Sequence, residues 1–225
     1  MSSSSDAGVA ITVPELTWPR QAGPLTLRPP TSEDLDQVLT WRNSPEVTRW
    51  LLRTVVDPQE FKRNWLEEED DDVAVVALVD DQVVGSGSLG ISDAMGQMHA
   101  GESLWSRAQG GLGYTIDPAH AGRGYATHLA RALLSIAFDD LGLHRVTAGC
   151  FADNLPSWRV MERLGMRREQ HGIKDSWHAE HGWLDGYTYA ILREEWRGRN
   201  AATMSAQTVP TRTISTSTYQ GQGGK

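Results

Sequence analysis

The sequence predicts an α/β fold built as one domain, and three observations carry this prediction. A strand, a glycine-rich turn and a helix follow one another over residues 113–138. A buried strand, Val73–Val79, is followed by a turn at Asp80 and Asp81 and by a returning strand. The 225 residues are 39% hydrophobic and 22% charged, which is typical of a globular domain with a substantial core.

The chain is organised around residues 113–138. Tyr114, Thr115 and Ile116 are β-prone, and Pro118 ends the strand because proline cannot donate to a ladder. The helix that follows has apolar residues at the i, i+3, i+4, i+7 spacing, which predicts one buried face. These residues are Ala126, Leu129, Ala130, Leu133, Leu134 and Ala137.

The turn before this helix suits a phosphate group. The first N–H groups of a helix have no internal partner, and the helix macrodipole makes that end positive. Glycines let the backbone approach an anion closely. The candidate cradle consists of the amides of Gly122, Arg123, Gly124, Tyr125 and Ala126. An ordinary tight turn is the alternative. The turn is not a P-loop, and no G-x-G-x-x-G opens a βαβ unit near the N-terminus.

The remaining elements follow from periodicity and from helix start and stop signals. Strands are predicted at residues 25–29, 82–91, 104–116, 145–150, 166–176 and 182–193, and helices at 31–42, 46–51, from 57 onward, and at 154–165. Gly110 and Gly111 indicate a bulge or the close approach of a ligand. The acidic run 67–72 is interpreted as a solvated helix end rather than as a metal site.

Charge and composition narrow the function. The formal net charge of -8 argues against nucleic acid and fits a cationic substrate such as an amine. The single cysteine, Cys150, excludes an intrachain disulfide and is interpreted as structural. We see no signal peptide and no apolar run long enough for a membrane, so a cytoplasmic protein is expected. Residues 1–24 are interpreted as an N-terminal extension, 25–197 as the domain and 198–225 as a disordered tail.

The residues from Ala121 to Ala126 resemble the coenzyme A pyrophosphate loop of the GNAT N-acetyltransferase superfamily, [QR]-x-x-G-x-[GA], with Ala121 in place of Gln or Arg. Further stretches are similar to the RimJ/RimL branch of that family, which acetylates protein N-termini and small amines. They lie at residues 25–29, 34–35, 41–48, 153–157, 162–166 and 189–196.

The resemblance implies a GNAT fold, with a mostly antiparallel sheet splayed near its middle and helices on both faces. Acetyl-CoA is then the co-substrate, with no metal, and enters between the strand ending at Ile116 and the strand ending at Cys150. The pantetheine arm pairs with backbone groups of Tyr114 to Ile116 as an added strand would. Gly122 to Ala126 hold the pyrophosphate, Arg123 adds a contact or is simply solvated, and Asn154 contacts the pantetheine.

The implied reaction is direct attack of a neutral amine on the acetyl thioester. The backbone N–H of Ile116 or a neighbour stabilises the oxyanion. Ser157 is the candidate proton donor to the leaving thiolate, with a helix-capping hydroxyl as the alternative. His178 is the candidate base because imidazole has a suitable intrinsic pKa. His171, Asp175, Glu180, an ordered water and, less directly, Glu102 stay open as alternatives.

The acceptor and the assembly stay open. The acceptor is an amine of a peptide N-terminus or a small molecule, and Trp105 and Trp177 are candidates for the wall of its pocket. A non-catalytic acyl-CoA sensor and a transferase using a longer acyl donor are the alternative functions. Members of the family are often dimers, so the resemblance allows a homodimer.

Overall fold

The computed structural model describes residues 15–66, 72–97 and 104–199. Within these ranges one sheet contains eight strands in the order β1-β2-β3-β4-β5-β6-β8-β7. The strands are β1 (Arg20–Ala22), β2 (Leu25–Arg28), β3 (Val73–Val79), β4 (Gln82–Ser92), β5 (Gln109–Ile116), β6 (Arg145–Phe151), β7 (Arg167–His178) and β8 (Gly182–Leu192). The sheet therefore begins at Arg20, ahead of the predicted start of the domain.

Helices fill the connections between strands. They are α1 (Ser32–Arg42), α2 (Pro45–Thr48), α3 (Pro58–Leu66), α4 (Tyr125–Ser135) and α5 (Leu155–Arg163), with a π-helical segment, Ile136–Asp140, after α4 and a helical stretch at 193–199. The second helix is shorter than predicted and ends at Thr48. In the described part of the chain, no helix has the length and apolar character needed to cross a membrane.

The sheet is splayed between its two central strands. All neighbouring strands are antiparallel except β5 and β6, which are parallel and pair only over residues 109–111 and 145–147. Beyond Gly111 and Thr147 the two strands separate. The mostly antiparallel, splayed sheet that the resemblance implied is therefore confirmed.

Each face of the sheet carries its own apolar core. Alternate residues of β3 point to opposite faces. Val75 and Ala77 pack in a core with Leu129 and Leu133 of α4, whereas Val76 and Leu78 belong to a second core. That second core also contains Leu35, Val38, Trp41, Val47, Phe61 and Val83. Helices thus cover both faces, with α4 on one side and α1 and α3 on the other.

The start of α1 is fixed by its own sequence, as predicted. Thr31 is the N-cap, and its side chain and the carboxylate of Asp34 form a reciprocal capping box. Asp34 is buried and also accepts a hydrogen bond of 2.9 Å from Nη2 of Arg28. Burial opposes ionisation of this carboxyl, but the bonds from Arg28 and Thr31 outweigh it and hold its pKa below the usual value.

The predicted bulge at Gly110 is wrong. All eight pairs between β4 and β5 keep one register. An ideal Cβ on Gly110 would lie 2.7 Å from Cδ1 of Leu89 and 3.0 Å from Cδ1 of Leu143, so side-chain packing requires glycine there. Residues 104–107, predicted as strand, form a turn in which Arg107 has a φ of +50°.

Several sequence predictions fall on residues outside the described ranges. They concern residues 1–14, the acidic run at 67–71, Glu102 and the tail from residue 200 onward.

An ion network ties β6 to β7 and to the segment after β8. Glu169 of β7 pairs with Arg145 and with Arg167, and Arg167 also pairs with Glu195. The hydrogen bond from Arg145 is the main cause that lowers the pKa of Glu169 from 4.5 to about 2; burial opposes it, and Arg167 lowers the pKa further. The charged form of Glu169 is therefore favoured by folding.

We expect Glu169→Gln to destabilise the protein at pH 7 by about 1 kcal/mol, since solvent screens a partly exposed network. The stabilisation is fully present above pH 4.5, the ordinary pKa, and is lost as the pH falls towards 2. Urea unfolding across this pH range measures the difference from wild type. Glu194→Gln is the control, because Glu194 forms no ion pair with another described residue. A difference that persists undiminished at pH 2 would contradict the prediction.

Candidate active site

The splay exposes backbone groups of β5. The N–H of Asp117 donates to the carbonyl of Val84 in β4 at 2.9 Å. Because backbone groups of an antiparallel strand alternate in direction, those of Tyr114 and Ile116 point away from β4 and into the splay. There they lie beyond the last residue of β5 that pairs with β6. The splay can therefore accept an extended chain along the open edge of β5.

The glycine-rich turn lies between the end of β5 and the start of α4. Gly122 and Gly124 have φ of +76° and +79°, a backbone region that disfavours side chains. Nothing lies within 4 Å of an ideal Cβ on either glycine. No described residue accepts a hydrogen bond from the backbone N–H groups of residues 122–126. The turn thus offers five N–H donors at a helix N-terminus in open space, and the exposed Arg123 lies within it.

The N-terminus of α5 faces β5 across the splay. The side chain of Asn154 caps this helix by accepting from the N–H of Ser157 at 3.3 Å, so the cap is Asn154 and the Ser157 hydroxyl is not needed for it. The Tyr114 hydroxyl donates to the Ser157 carbonyl at 3.0 Å and lies 3.2 Å from Ser157 Oγ. Tyr114 and Ser157 therefore bridge the two sides of the splay.

Both ionisable groups beside Ser157 are neutral near pH 7. Burial raises the pKa of the Tyr114 phenol to about 12, although the hydrogen bond with Ser157 lowers it in part. Burial likewise raises the pKa of the Cys150 thiol to about 11. A partly buried, neutral thiol is a poor nucleophile, which agrees with the structural interpretation of Cys150.

His178 lies at the end of β7 with both ring nitrogens engaged. It is 4% exposed, and Nε2 donates to the carbonyl of Arg49 at 2.7 Å. Nδ1 accepts from the N–H groups of Glu180 at 3.2 Å and His181 at 3.3 Å. A general base needs a free nitrogen within reach of the substrate. This geometry makes His178 a link between the hairpin and the segment after α2, and it argues against the predicted catalytic role.

Two other residues of the last hairpin, the alternative base His171 and the candidate pocket residue Trp177, are more exposed than His178. Nε2 of His171 lies 2.8 Å from a carboxylate oxygen of Asp185. Trp177 is 62% exposed and packs edge-on against Trp183 near the tip of the hairpin. The Trp65 side chain, by contrast, helps to line a cavity next to Thr115.

That cavity has a volume of about 860 Å³ and lies on the face of α1 and α3. Its sheet side is formed by Ser86 of β4 and Thr115 of β5, which are paired in the sheet. The glycine-rich turn at the start of α4 does not line this cavity, so the turn and the cavity are two distinct candidate binding regions.

Comparison with known proteins agrees with this geometry. The family described as "Acetyltransferase (GNAT) domain" matches residues 24–167, more than half of the chain. The chain belongs to the GNAT acetyltransferase family. The superfamily inferred from the glycine-rich turn is therefore confirmed.

Individual relatives of this GNAT chain match it to different extents. The uncharacterized N-acetyltransferase YnaD of Bacillus subtilis is 42% identical over 85 residues, which cover 38% of this chain and only about half, 49%, of YnaD. A GNAT-family acetyltransferase structure from Bacillus anthracis has a TM-score of 0.63 and 28% identity, covering 78% of this chain and 98% of its own. Mycobacterium smegmatis RimJ, solved with CoA-disulfide, has a TM-score of 0.61 and covers 80% of this chain and 89% of its own. RimJ is 22% identical and shares the fold.

The structure brings most of the predicted site residues to the splay. Tyr114, Thr115 and Ile116 line its β5 side, the 122–126 amides lie at one end, and Asn154 and Ser157 lie across from them. Both ring nitrogens of His178 are occupied by backbone partners. Sequence reasoning missed the Tyr114 hydroxyl, for which only the backbone was considered. It also missed the arginines of the cavity, which are far apart in sequence and carry no motif.

Proposed function

We propose that this GNAT protein is an acyl-CoA-dependent N-acetyltransferase that transfers an acetyl group from acetyl-CoA to a primary amine. One observation carries the proposal: five N–H donors at the start of α4, which have no acceptor among the described residues, adjoin a splay with an open backbone edge. The diphosphate of coenzyme A fits the first feature and its amide-containing arm fits the second. Together they would extend the acyl group towards Thr115 and Ser157.

The proposed reaction is a single displacement at the thioester carbonyl. The amine nitrogen forms a bond to the carbonyl carbon, and the carbon–sulfur bond breaks. The N–H of Ile116, which points into the splay, stabilises the oxyanion. Ser157 donates a proton to the departing thiolate, and the positive end of α5 favours that negative charge. The amine loses one proton to a water molecule, and water returns one proton to Ser157, which balances the proton gained by sulfur.

Tyr114 positions Ser157 for this role. Its hydroxyl holds the backbone carbonyl and the side chain of Ser157 together, and a pKa of about 12 keeps it protonated throughout the working pH range. The similarity of residues 41–48, 153–157 and 189–196 to the RimJ/RimL branch supports an assignment of the chain to that branch. A protein N-terminus or a small amine is then the acceptor.

The proposal is tested by supplying acetyl-CoA and a panel of amines and peptides to the full chain. We expect release of free CoA thiol to match the acetylated amine formed, as measured by a thiol reagent and by mass spectrometry. Calorimetric titration with acetyl-CoA is carried out on the same sample. Tight binding of acetyl-CoA without transfer to any amine would favour the acyl-CoA sensor. Transfer only from longer acyl donors would favour a transferase that uses a longer acyl-CoA.

A further inference from the structure

The cavity on the α1 and α3 face has a charge opposite to that of the whole chain. The charged side chains that line it are those of Arg42, Arg53, Glu60 and Arg63. Three cations and one anion therefore face this space, although the formal net charge of the chain is -8. A concave site lined by one sign of charge concentrates ligands of the other sign.

Arg42 is the buried member of this set. It is 7% exposed, and its guanidinium donates to the backbone carbonyls of Arg53 at 2.6 Å and Thr54 at 3.0 Å. Among the described residues, no carboxylate forms an ion pair with it. Burial is the main cause that lowers its pKa, and Arg53 adds to this effect. A guanidinium stays charged even so, and a buried charge is best stabilised by an opposite charge.

Arg53 and Arg63 are exposed around the same space. Neither forms an ion pair with a carboxylate in the described ranges. Arg53 follows α2, whereas Arg63 projects from α3. Their guanidinium groups can therefore reorient towards a ligand without losing a carboxylate partner seen in this structure.

The rest of the lining is apolar or weakly polar. Leu51, Phe61 and Trp65 provide apolar surface, and Ser86 and Thr115 form the sheet side. Thr115 lies between Tyr114 and Ile116, whose backbone groups point into the splay. A ligand that spans the cavity from the arginines to Thr115 would thus present one end to a carboxylate-binding group and the other to the thioester.

We infer that the acceptor is a primary amine that also carries a carboxylate and an apolar side chain, as an apolar amino acid does. The arginines bind the carboxylate, the apolar wall holds the side chain, and the amine lies at Thr115. This inference rests on the proposed function and identifies its acceptor class. It disfavours polyamines, which bring further positive charge to a cavity with an excess of arginine.

The test is direct binding in the presence of CoA, measured by calorimetry with phenylalanine and phenylethylamine. These two probes share the amine and the ring, and only phenylalanine has the carboxylate. We expect wild type to bind phenylalanine about tenfold more tightly than phenylethylamine, which is the effect of one charge-assisted hydrogen bond. Arg53→Gln and Arg63→Gln should each remove most of this preference. Arg163 is an exposed arginine of α5 that does not line the cavity. Arg163→Gln is therefore the matched control and should keep the preference for phenylalanine.

Other binding results would contradict either the inference or the proposed function. Equal or tighter binding of phenylethylamine, tighter binding of spermidine, or no binding of phenylalanine would overturn the inference. Loss of the preference in Arg163→Gln would also overturn it, since the effect would then be one of overall charge. Selective binding of phenylalanine without acetyl transfer to any amine would instead overturn the proposed function and leave the carboxylate site supported.

Discussion

Gly124→Glu is expected to weaken acetyl-CoA binding more than about hundredfold, equivalent to roughly 3 kcal/mol. Gly124 is the N-cap of α4, and the N–H groups of residues 122–126 have no protein acceptor in the described part of the chain. A carboxylate at this position would compete for those donors and repel the diphosphate. Calorimetric titration with acetyl-CoA measures the loss, and circular dichroism checks that the fold is retained.

Two controls separate charge from backbone strain. Gly142 also has a positive φ, +68°, and an ideal Cβ there would meet only Nη1 of Arg193, at 3.6 Å. Gly142→Glu therefore adds the same side chain in a similar backbone conformation, away from the turn, and should leave binding unchanged. Gly124→Ala has the strain without the charge and should bind much more tightly than Gly124→Glu. If Gly124→Glu binds acetyl-CoA as wild type does, the turn is not the diphosphate site.

Local sequence patterns predicted the parts of the fold that depend on local interactions. The glycine-rich turn, the amphipathic α4 and the cap of α1 by Thr31 and Asp34 all follow from residues a few positions apart. The splay between the strands that end at Ile116 and Cys150 did not follow from such patterns. It came from the resemblance of the whole set of motifs to one family.

Predictions that depended on distant neighbours were less successful. Gly110 is glycine because Leu89 and Leu143 approach it from other segments, and not because the strand bulges. His178 has a suitable intrinsic pKa, but the carbonyl of Arg49, far away in sequence, occupies one of its nitrogens. No periodicity or motif contains that information.

Charge shows why composition alone does not describe an acceptor site. The net charge of -8 predicts a cationic acceptor such as an amine, which stays a prediction, and this charge is an average over the whole surface. The cavity beside Thr115 is lined by Arg42, Arg53 and Arg63, which only the packing of α1, α3 and the segment after α2 brings together. A substrate responds to the charges that face it, so we propose that the local excess of arginine binds a carboxylate on the amine acceptor.

Ser157→Ala is expected to lower kcat about hundredfold, at the lower end of the effect of a general acid. The Ser157 hydroxyl lies in the first turn of α5, 3.2 Å from the Tyr114 hydroxyl, and does not cap the helix. Its loss should slow the departure of the thiolate and leave the dissociation constant of acetyl-CoA unchanged. Steady-state kinetics with the best amine of the panel, together with calorimetry, separate the two quantities.

The conservative variant and a matched control decide between catalysis and structure. Ser157→Thr keeps a hydroxyl at the same position and should recover most of the rate. Ser135→Ala removes a hydroxyl that bonds to Asp139 on the other side of the molecule, at the end of α4, and should not alter kcat. Tyr114→Phe should lower kcat without an equal change in acetyl-CoA affinity, because Tyr114 acts through Ser157. Equal losses of rate in Ser157→Ala and Ser157→Thr, or an unchanged rate in Ser157→Ala, would assign the proton transfer to another group.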